Sequence, residues 1–234
     1  MTGPRALAII PARGGSKRLP RKNVLPFRDR PMIVWTVRAA LDCGVFARVI
    51  VTTEDDGVAQ ATHAEGAEVL RRPSELAADH VPLTRVAAHA LAACPGYDAF
   101  CLMMANCPLR GAEDVRDSLR AFEQSDDATA LTSVFAYNWN QPFWALKMDG
   151  DRLKRLFPQT EAASGDDVVC PSGAIRWCRT QDFLKTETWY PERLRGFRMP
   201  WHRAIDIDTS DDYAAACCIA HALDSGFRFP EAAH

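Results

Sequence analysis

Several features that define common protein classes are missing from this 234-residue sequence. None of its eight cysteines forms a Cys-x-x-Cys pair, and several lie in apolar runs, as reduced core cysteines do. No apolar stretch reaches the ~18–20 residues that a membrane span requires. Near the N-terminus only residues 6–10 form an apolar run, which is too short for the core of a signal peptide. We therefore expect a protein of the reducing cytoplasm with no membrane association.

The sequence also has little net charge. Its 28 basic and 30 acidic residues leave a net charge of −2, which argues against a general nucleic-acid binder. Apolar residues make up 47% of the chain and aromatic residues 9%, which excludes a disordered chain and a disulfide miniprotein. The charge is unevenly distributed, however. Residues 1–30 contain eight basic residues and one acid, which indicates a local anion site.

Three familiar active-site motifs are absent as well. The sequence has neither the Gly-x-x-x-x-Gly-Lys-[Ser/Thr] spacing of P-loop NTPases nor the Gly-x-Gly-x-x-Gly spacing of nicotinamide dehydrogenases. Ser172 is not a nucleophile elbow, because Gly-x-Ser-x-Gly is missing. These enzyme classes are therefore disfavoured.

The chain does contain an alternation of strands and helices. The predicted strands are residues 6–10, 48–53, 68–70, 99–104 and 129–137, and the predicted helices are residues 31–43, a short one ending near 65, 83–94 and 113–122. Continuously apolar strands in such alternation are typical of an α/β fold, whose mostly parallel sheet is covered on both faces. Ligands of these sheets bind beyond the carboxyl ends of the strands. We therefore expect the loops after Ile10, Thr53 and Met104 to share one rim.

The most informative segment is the loop at residues 11–23, PARGGSKRLPRKN. Gly14 and Gly15 permit tight turns and a close approach of a ligand to the backbone. Successive backbone amides can form an anion-binding nest, and the loop's five basic residues supply charge around it. A polyphosphate is bound by this combination of backbone donors and cations. A solvated basic loop is the alternative, and the coincidence of strand, glycines and charge favours a phosphate site.

Residues 204–208, AIDID, predict a strand that carries two carboxylates. Side chains alternate along a strand, so Asp206 and Asp208 would share one face while Ile205 and Ile207 face the core. Two such carboxylates suit Mg²⁺, which prefers oxygen ligands. The alternative is an edge strand with a solvated polar face. The phosphate loop favours metal binding, with Asp208 as the stronger candidate.

The chain is expected to have three parts. Residues 1–136 form a nucleotide-binding core. Residues 137–170, which are rich in Trp, Asn and Pro, form a small inserted β-rich lobe. Residues 171–234 return to the core with strands at 174–178 and 204–208 and a C-terminal helix at 209–223, capped by Thr209 or Ser210.

These segments together resemble the acylneuraminate cytidylyltransferases, the CMP–sialic acid synthetases. The similar stretches, in the same order as in that family, are residues 10–23, 51–55, 68–78, 107–110, 171–175 and 205–209. The resemblance covers about residues 6–220 and is specific because the basic loop and the Ile-Asp-Ile-Asp motif occur together. It implies a Rossmann-like nucleotidyltransferase fold and a Mg²⁺-dependent reaction of CTP with a nonulosonic acid, which gives a CMP-sugar and pyrophosphate.

The resemblance also implies roles for individual residues. Arg13, Lys17 and Asp208 are the expected catalytic residues, and Asp206 and Asp208 the expected Mg²⁺ ligands. The expected CTP-binding residues are Ala12, Arg13, Gly14, Gly15, Lys17, Lys22, Asn23 and Arg72. The expected sugar-side residues are Met104, Asn106, Cys170 and Ser172.

Two of the sugar-side residues depart from the family pattern. Met104 stands where the family has a glutamine that contacts the sugar, and Cys170 stands where it has an arginine that recognises the acid. We therefore expect the acceptor to be a modified nonulosonic acid or another acidic molecule. Two alternatives remain: a nucleotide-binding homologue without activity, and a 3-deoxy-manno-octulosonate cytidylyltransferase, whose loop usually has an aromatic residue in place of Gly14.

The aromatic residues of the inserted lobe predict an assembly. Trp139, Phe143 and Trp144 would be costly to expose on a monomer, whereas aromatic side chains are common in interface cores. Members of the resembled family dimerise through such a lobe. We therefore expect a homodimer with the sugar pocket near the subunit boundary.

Overall fold

The computed structural model describes residues 4–125, 127–137, 142–157 and 168–230. The strands are β1 (Ala6–Pro11), β2 (Pro26–Phe27), β3 (Arg30–Pro31), β4 (Arg48–Thr53), β5 (Glu68–Arg71), β6 (Ala99–Leu102), β7 (Ala130–Ala136), β8 (Leu146–Asp149), β9 (Arg152–Arg155), β10 (Val169–Arg179) and β11 (Leu194–Arg198). The helices are α1 (Met32–Asp42), α2 (Asp56–Ala64), α3 (Leu83–Ala93), α4 (Ala112–Glu123), α5 (Thr180–Thr186) and α6 (Ser210–Asp224).

Seven strands form the central sheet in the order β11-β7-β10-β6-β1-β4-β5. β1 is parallel to β4 and β6, β4 to β5, and β7 to β11, which confirms the predicted mostly parallel α/β sheet. β10 is antiparallel to both of its neighbours. The residues described between β7 and β10 contain a single 3-10 turn at Pro142–Trp144 and the antiparallel hairpin β8–β9, and no α-helix.

β1 lies in the centre of the core, since all six of its residues are buried. Its side chains alternate between two apolar layers. Ala8 and Ile10 pack in one layer with side chains of α1 and α4, and Leu7 and Ile9 pack in the other with side chains of α3. Burial on both faces explains why the sequence of β1 is continuously apolar, and it holds the loop after β1 on a rigid support.

The predicted strand at residues 204–208 is wrong, because this segment is irregular. The amide of Ile207 donates to the carbonyl of Asn106 at 2.9 Å, and the carbonyl of Ile207 accepts from the Asn106 side chain at 3.1 Å. These bonds to a loop replace the ladder that a neighbouring strand would offer. Ile205 and Ile207 nevertheless pack against α6, which accounts for the alternating pattern.

The C-terminal helix agrees with its prediction, whereas α5 and β11 were not predicted. The Thr209 hydroxyl accepts a hydrogen bond from the Asp212 amide, and Asp212 in turn accepts one from the Thr209 amide, so Thr209 caps α6. β11 contains only five residues, LRGFR, and gives little periodic signal. No described helix has the length and apolar composition needed to cross a membrane.

In the inserted lobe, β8 and β9 form a hairpin that projects a row of apolar side chains. Arg155, which pairs with Leu146, lies on one face of the hairpin. Leu146, Met148 and Leu153 lie on the same face, because Met148 pairs with Leu153 and side chains two apart share a face. They are 50%, 70% and 58% exposed. The other face is charged and carries Lys147, Asp149, Arg152 and Lys154. Trp139 and the acidic residues Asp166 and Asp167 lie outside the described residues.

Candidate active site

Most of the predicted site residues converge on a cavity of about 470 Å³ at one edge of the central sheet. The cavity lies beyond the carboxyl ends of β1, β5 and β6, as ligand sites do in this class of sheet. The predicted residues in its lining are Arg13, Gly15, Lys17, Lys22, Asn23, Arg72, Met104, Asn106 and Asp208. A second cavity, of about 430 Å³, lies between α5 and the segment at residues 188–193 that follows it, and is lined by none of the predicted site residues.

Hydrogen bonds from Asn23 and to Glu54 hold the backbone of the basic loop in place. Asn23 is buried, and its side-chain amide donates to the carbonyl of Arg13 at 2.8 Å. The amide of Gly14 donates to Glu54 at 2.7 Å, so this amide is not free for an anion nest. A Cβ on Gly14 would collide with the Asp55 side chain, so protein packing at this position requires a glycine. Ala12 is also buried behind the cavity and does not line it.

Two basic residues of the loop share one carboxylate across the cavity. Arg13 and Lys17 contact the two oxygens of Asp79 at 2.6 and 2.7 Å. The Arg13 guanidinium also donates to the carbonyl of Ala77 at 3.3 Å. The hydrogen bonds from Lys17 and then Arg13 lower the pKa of Asp79, which keeps it charged.

Two further basic residues share Asp208. Lys22 contacts one of its oxygens and Arg18 the other, both at 2.7 Å, and the side-chain amide of Asn106 donates to it at 3.3 Å. Burial alone would raise the pKa of Asp208, but Lys22 and Arg18 hold it below its ordinary value. The carboxylate is therefore charged, and its side chain is 38% exposed at the cavity.

Arg72 forms the back of the cavity. Its side chain is only 3% exposed and pairs with Glu54 at 2.7 Å. Burial would raise the pKa of Glu54, but the hydrogen bonds from Arg72 and the Gly14 amide lower it. Glu54 therefore connects Arg72 to the basic loop. Of the three loops expected to share the rim, those after β1 and β6 line the cavity, and the loop after β4 supports them through Glu54.

The expected sugar-side residues separate into two pairs. Met104 and Asn106 line the cavity, whereas Cys170 and Ser172 do not. Ser172 is fully buried, and its hydroxyl donates to the carbonyl of Ala204 at 2.8 Å while accepting from the amide of Ala174. The structure therefore assigns Ser172 to the packing of β10 against residue 204. Cys170 is half-buried, and burial raises the pKa of its thiol.

Asp206 lies apart from Asp208 and contacts other groups. One of its oxygens accepts a hydrogen bond from the Cys107 thiol, and the other accepts one from the amide of Gly173 at 3.1 Å. Cys107 is completely buried, and burial followed by the charge of Asp206 raises the pKa of its thiol well above the usual range. Cys107 is therefore a protonated core residue rather than a nucleophile.

A Mg²⁺ ion fits one of the two predicted carboxylates. The described residues include no group of three or more His, Cys, Asp or Glu side chains that could hold a metal. Mg²⁺ does not require such a group, because it binds through one or two carboxylates together with waters and substrate phosphates. Asp208 meets this requirement at the cavity. Asp206 does not line the cavity, whereas Asp208 does, so the residues around the cavity fit a site with a single carboxylate.

Sequence reasoning missed Asp79 and the wall that contains it. The wall consists of Leu76, Ala77, Ala78, Asp79, Val81, Leu83 and Val86. The similar stretch at residues 68–78 ends one position before Asp79, and no spacing pattern links this residue to the basic loop. Arg18 was counted among the loop's charges but was given no separate role.

The chain is similar to known cytidylyltransferases over much of its length. A family model described as Cytidylyltransferase matches residues 7–133. The N-acylneuraminate cytidylyltransferase of Escherichia coli O18:K1:H7 is 29% identical over 217 residues, which are 92% of this chain and 52% of that protein. The pseudaminic acid cytidylyltransferase of Campylobacter jejuni serotype O:2 is 26% identical over 216 residues, which are 88% of this chain and 92% of that protein. The chain thus spans about half of one relative and nearly all of the other.

A solved structure supports the fold. CMP:2-keto-3-deoxy-manno-octonic acid synthetase, complexed with CTP, superimposes with a TM-score of 0.71 at 21% identity, and the match covers 94% of this chain and 99% of that one. The expected Rossmann-like nucleotidyltransferase fold is therefore confirmed. Because the family model spans more than half of the chain, including the basic loop and the strands that position it, this protein belongs to the cytidylyltransferase family.

Proposed function

We propose that this protein transfers CMP from CTP to a nonulosonic, sialic-acid-like sugar and releases pyrophosphate. The observation that carries the proposal is the lining of the cavity, where five basic side chains, four of them from one loop, stand at the carboxyl ends of the strands. Such a concentration of cations suits a triphosphate. The relatives named for N-acylneuraminate and pseudaminic acid support the class of acceptor.

The proposed reaction is an in-line displacement. A hydroxyl of the acceptor attacks the α-phosphorus of CTP and gives up its proton to water, and the bond from that phosphorus to pyrophosphate breaks. Arg13, Lys17 and Lys22 stabilise the negative charge that moves onto the leaving pyrophosphate, and positioning in the cavity supplies much of the remaining rate enhancement. Asn23 and Arg72 shape the nucleotide side of the cavity through their buried hydrogen bonds.

We propose Mg²⁺ as the cofactor, with Asp208 as its protein ligand. Mg²⁺ supplies charge neutralisation on the phosphates when it is bound. Asp208 offers a charged carboxylate next to the cations that would contact the triphosphate. Lys22 and Arg18 hold this carboxylate in position before the nucleotide arrives.

The acceptor side of the cavity favours a modified sugar. Met104 offers apolar contact there, and Asn106 is polar but already donates to Ile207 and Asp208. An acceptor with an apolar substituent near Met104, or a different acidic molecule, fits these groups. The same loss of polar groups at Met104 and Cys170 favours a second candidate, a homologue that binds nucleotide without turnover.

The test measures the release of pyrophosphate from CTP in the presence of Mg²⁺ and each member of a panel of nonulosonic acids. Mass spectrometry then identifies the CMP conjugates that form. The Arg13→Ala variant is the control, and its kcat/KM for CTP should fall at least about tenfold. CTP binding without release under any condition would favour the second candidate. Absence of both release and heat stabilisation by CTP would contradict the proposal.

We further propose that the protein is a homodimer whose subunits meet at the inserted lobe. Leu146, Met148 and Leu153 are exposed on the hairpin face that also carries Arg155, and a two-stranded hairpin is marginally stable in water unless another surface covers it. Trp144 adds a side chain that is 67% exposed. A second copy of the same face would bury these groups.

We place the protein in a reducing compartment such as the cytoplasm. All eight cysteines lie within the described residues and none forms a disulfide. Cys43, Cys101, Cys107 and Cys178 are buried in the core, where they pack as small apolar side chains. Free thiols in this number are typical of proteins made and kept under reducing conditions.

A further inference from the structure

Asp79 forms ion pairs with two of the basic side chains that a bound triphosphate would contact. It lies in the turn between the carbonyl of Ala78 and the amide of Val81, which are hydrogen-bonded at 3.1 Å. From this turn its two oxygens reach different partners, Arg13 at 2.6 Å and Lys17 at 2.7 Å. All three side chains line the cavity.

A carboxylate and a phosphate group compete for such donors, because both present charged oxygens to guanidinium and ammonium groups. We propose that Asp79 is an internal counterion, which CTP displaces from Arg13 and Lys17 on binding and which returns to them when pyrophosphate leaves. This inference rests on the proposed function, and it assigns Asp79 a role in setting affinity for phosphates.

Three observations favour Asp79 as a counterion that a phosphate group can replace. The side chains of Lys17 and Asp79 are 86% and 44% exposed, so breaking their contact strands no buried charge. The pKa of Asp79 is lowered, so the competing carboxylate is charged at neutral pH. The cavity lining holds five basic and two acidic side chains, and Asp79 is therefore half of its negative charge.

The other acidic residue of the lining serves a different purpose. Asp208 is bound by Lys22, whose side chain is only 15% exposed, and by the side-chain amide of Asn106. Asp79 has no comparable support, because within the described part of the chain its carboxylate is paired only with the half-buried Arg13 and the exposed Lys17. The carboxylate that exchanges with phosphate is thus Asp79.

The experiment compares the wild type with Asp79→Asn, which removes the charge and keeps the shape. Dissociation constants for CTP, pyrophosphate and cytidine are measured by calorimetry at about 20 mM and about 300 mM ionic strength. We expect Asp79→Asn to bind CTP and pyrophosphate about three- to tenfold more tightly at the low ionic strength, and the gain to shrink at the high one. The affinity for cytidine, which has no phosphate, should not change.

Asp127→Asn is the matched control, because Asp127 forms a similarly exposed pair with Arg195 at 2.8 Å away from the cavity. Its affinities should equal those of the wild type. If the wild type binds CTP but a folded Asp79→Asn variant binds pyrophosphate no more tightly than the wild type does, the role of Asp79 is wrong and the proposed function stands. A wild type that binds neither CTP nor pyrophosphate would instead overturn the proposed function.

Discussion

Arg72 and Glu54 form an ion pair at 2.7 Å in which the arginine side chain is almost completely withdrawn from solvent. The second interaction of Glu54, with the amide of Gly14, fixes the start of the basic loop relative to this pair. A buried guanidinium that loses its partner is costly, whereas an exposed pair contributes little. The pair is therefore important both for stability and for the shape of the cavity.

We predict that Glu54→Gln lowers the free energy of unfolding by about 1–3 kcal/mol, because Arg72 loses its charged partner. Urea unfolding at pH 7 measures the change. Glu68→Gln is the control, since Glu68 pairs with Arg48 at an exposed position, and it should cost about 1 kcal/mol or less. Equal effects of the two substitutions would contradict the importance assigned to burial of Arg72.

The same pair predicts a pH dependence. The pKa of Glu54 is lowered in the folded state, because the hydrogen bonds from Arg72 and Gly14 outweigh the effect of burial. The unfolded state then binds more protons, so the contribution of Glu54 is present above its unfolded pKa and is lost as the pH falls through the folded pKa. Unfolding free energies measured between about pH 3.5 and pH 7 should fall more steeply in the wild type than in Glu54→Gln. If the unfolding free energies of the two proteins changed in parallel with pH, the lowered pKa of Glu54 would be contradicted.

The two aspartates of the Ile-Asp-Ile-Asp motif should respond differently to substitution. Asp208→Ala is expected to fold and to lose at least about 100-fold in pyrophosphate release, because the phosphates lose the carboxylate that holds their metal. Asp206→Asn is expected chiefly to destabilise the fold, since Asp206 contacts only Cys107 and Gly173 among the hydrogen-bonding groups described. Thermal unfolding and initial rates separate the two effects. Loss of turnover with unchanged stability in Asp206→Asn would support the prediction that both aspartates bind the metal.

Gly173 should not tolerate a side chain. A Cβ there would lie 2.6 Å from Cγ of Met104 and 2.9 Å from an oxygen of Asp206. We expect Gly173→Ala to destabilise the protein by about 1–3 kcal/mol through this overpacking. Gly15→Ala is the control, because a Cβ on Gly15 would meet no atom within 4 Å, and its unfolding free energy should stay within about 0.5 kcal/mol of the wild type.

The apolar face of the β8–β9 hairpin should control assembly. Met148→Glu places a charge in the centre of that face and should convert the proposed dimer to a monomer at micromolar concentration. Lys147→Gln changes the neighbouring residue on the charged face and should leave the dimer intact. Light scattering after gel filtration gives the mass of each variant. A wild-type monomer that turns over CTP would contradict the dimer.

The parallel part of the sheet could be predicted because its strands are buried on both faces. The continuous apolar runs of β1, β4 and β6 follow directly from that burial, and the basic loop after β1 stands out by charge alone. The strand prediction for residues 204–208 is wrong because isoleucines that pack against α6 alternate with acidic residues, as they would in a strand. The hydrogen bonds from Asn106 that hold Ile207 have no local signature.

Asp79 could not be predicted for a related reason. An acidic residue in a turn is ordinarily solvated, and its significance arises only when the turn lies opposite Arg13 and Lys17. These contacts join positions more than sixty residues apart, and periodicity within a segment carries no information about them. The basic loop at residues 11–23 can be recognised because its charge is concentrated in a short segment. The wall that contains Asp79 is mostly apolar and has no such signal.

The ion pair between Lys22 and Asp208 also has a consequence for the order of events during synthesis, because its partners are 186 positions apart in the chain. At about 5–20 residues per second, a ribosome needs about 10–40 s to add Asp208 after Lys22. Until then the emerging polypeptide has the basic loop without the carboxylate that neutralises Arg18 and Lys22. A nascent chain stalled before residue 208 should therefore display an unbalanced cationic surface, open to capture by the anions that surround the translation machinery.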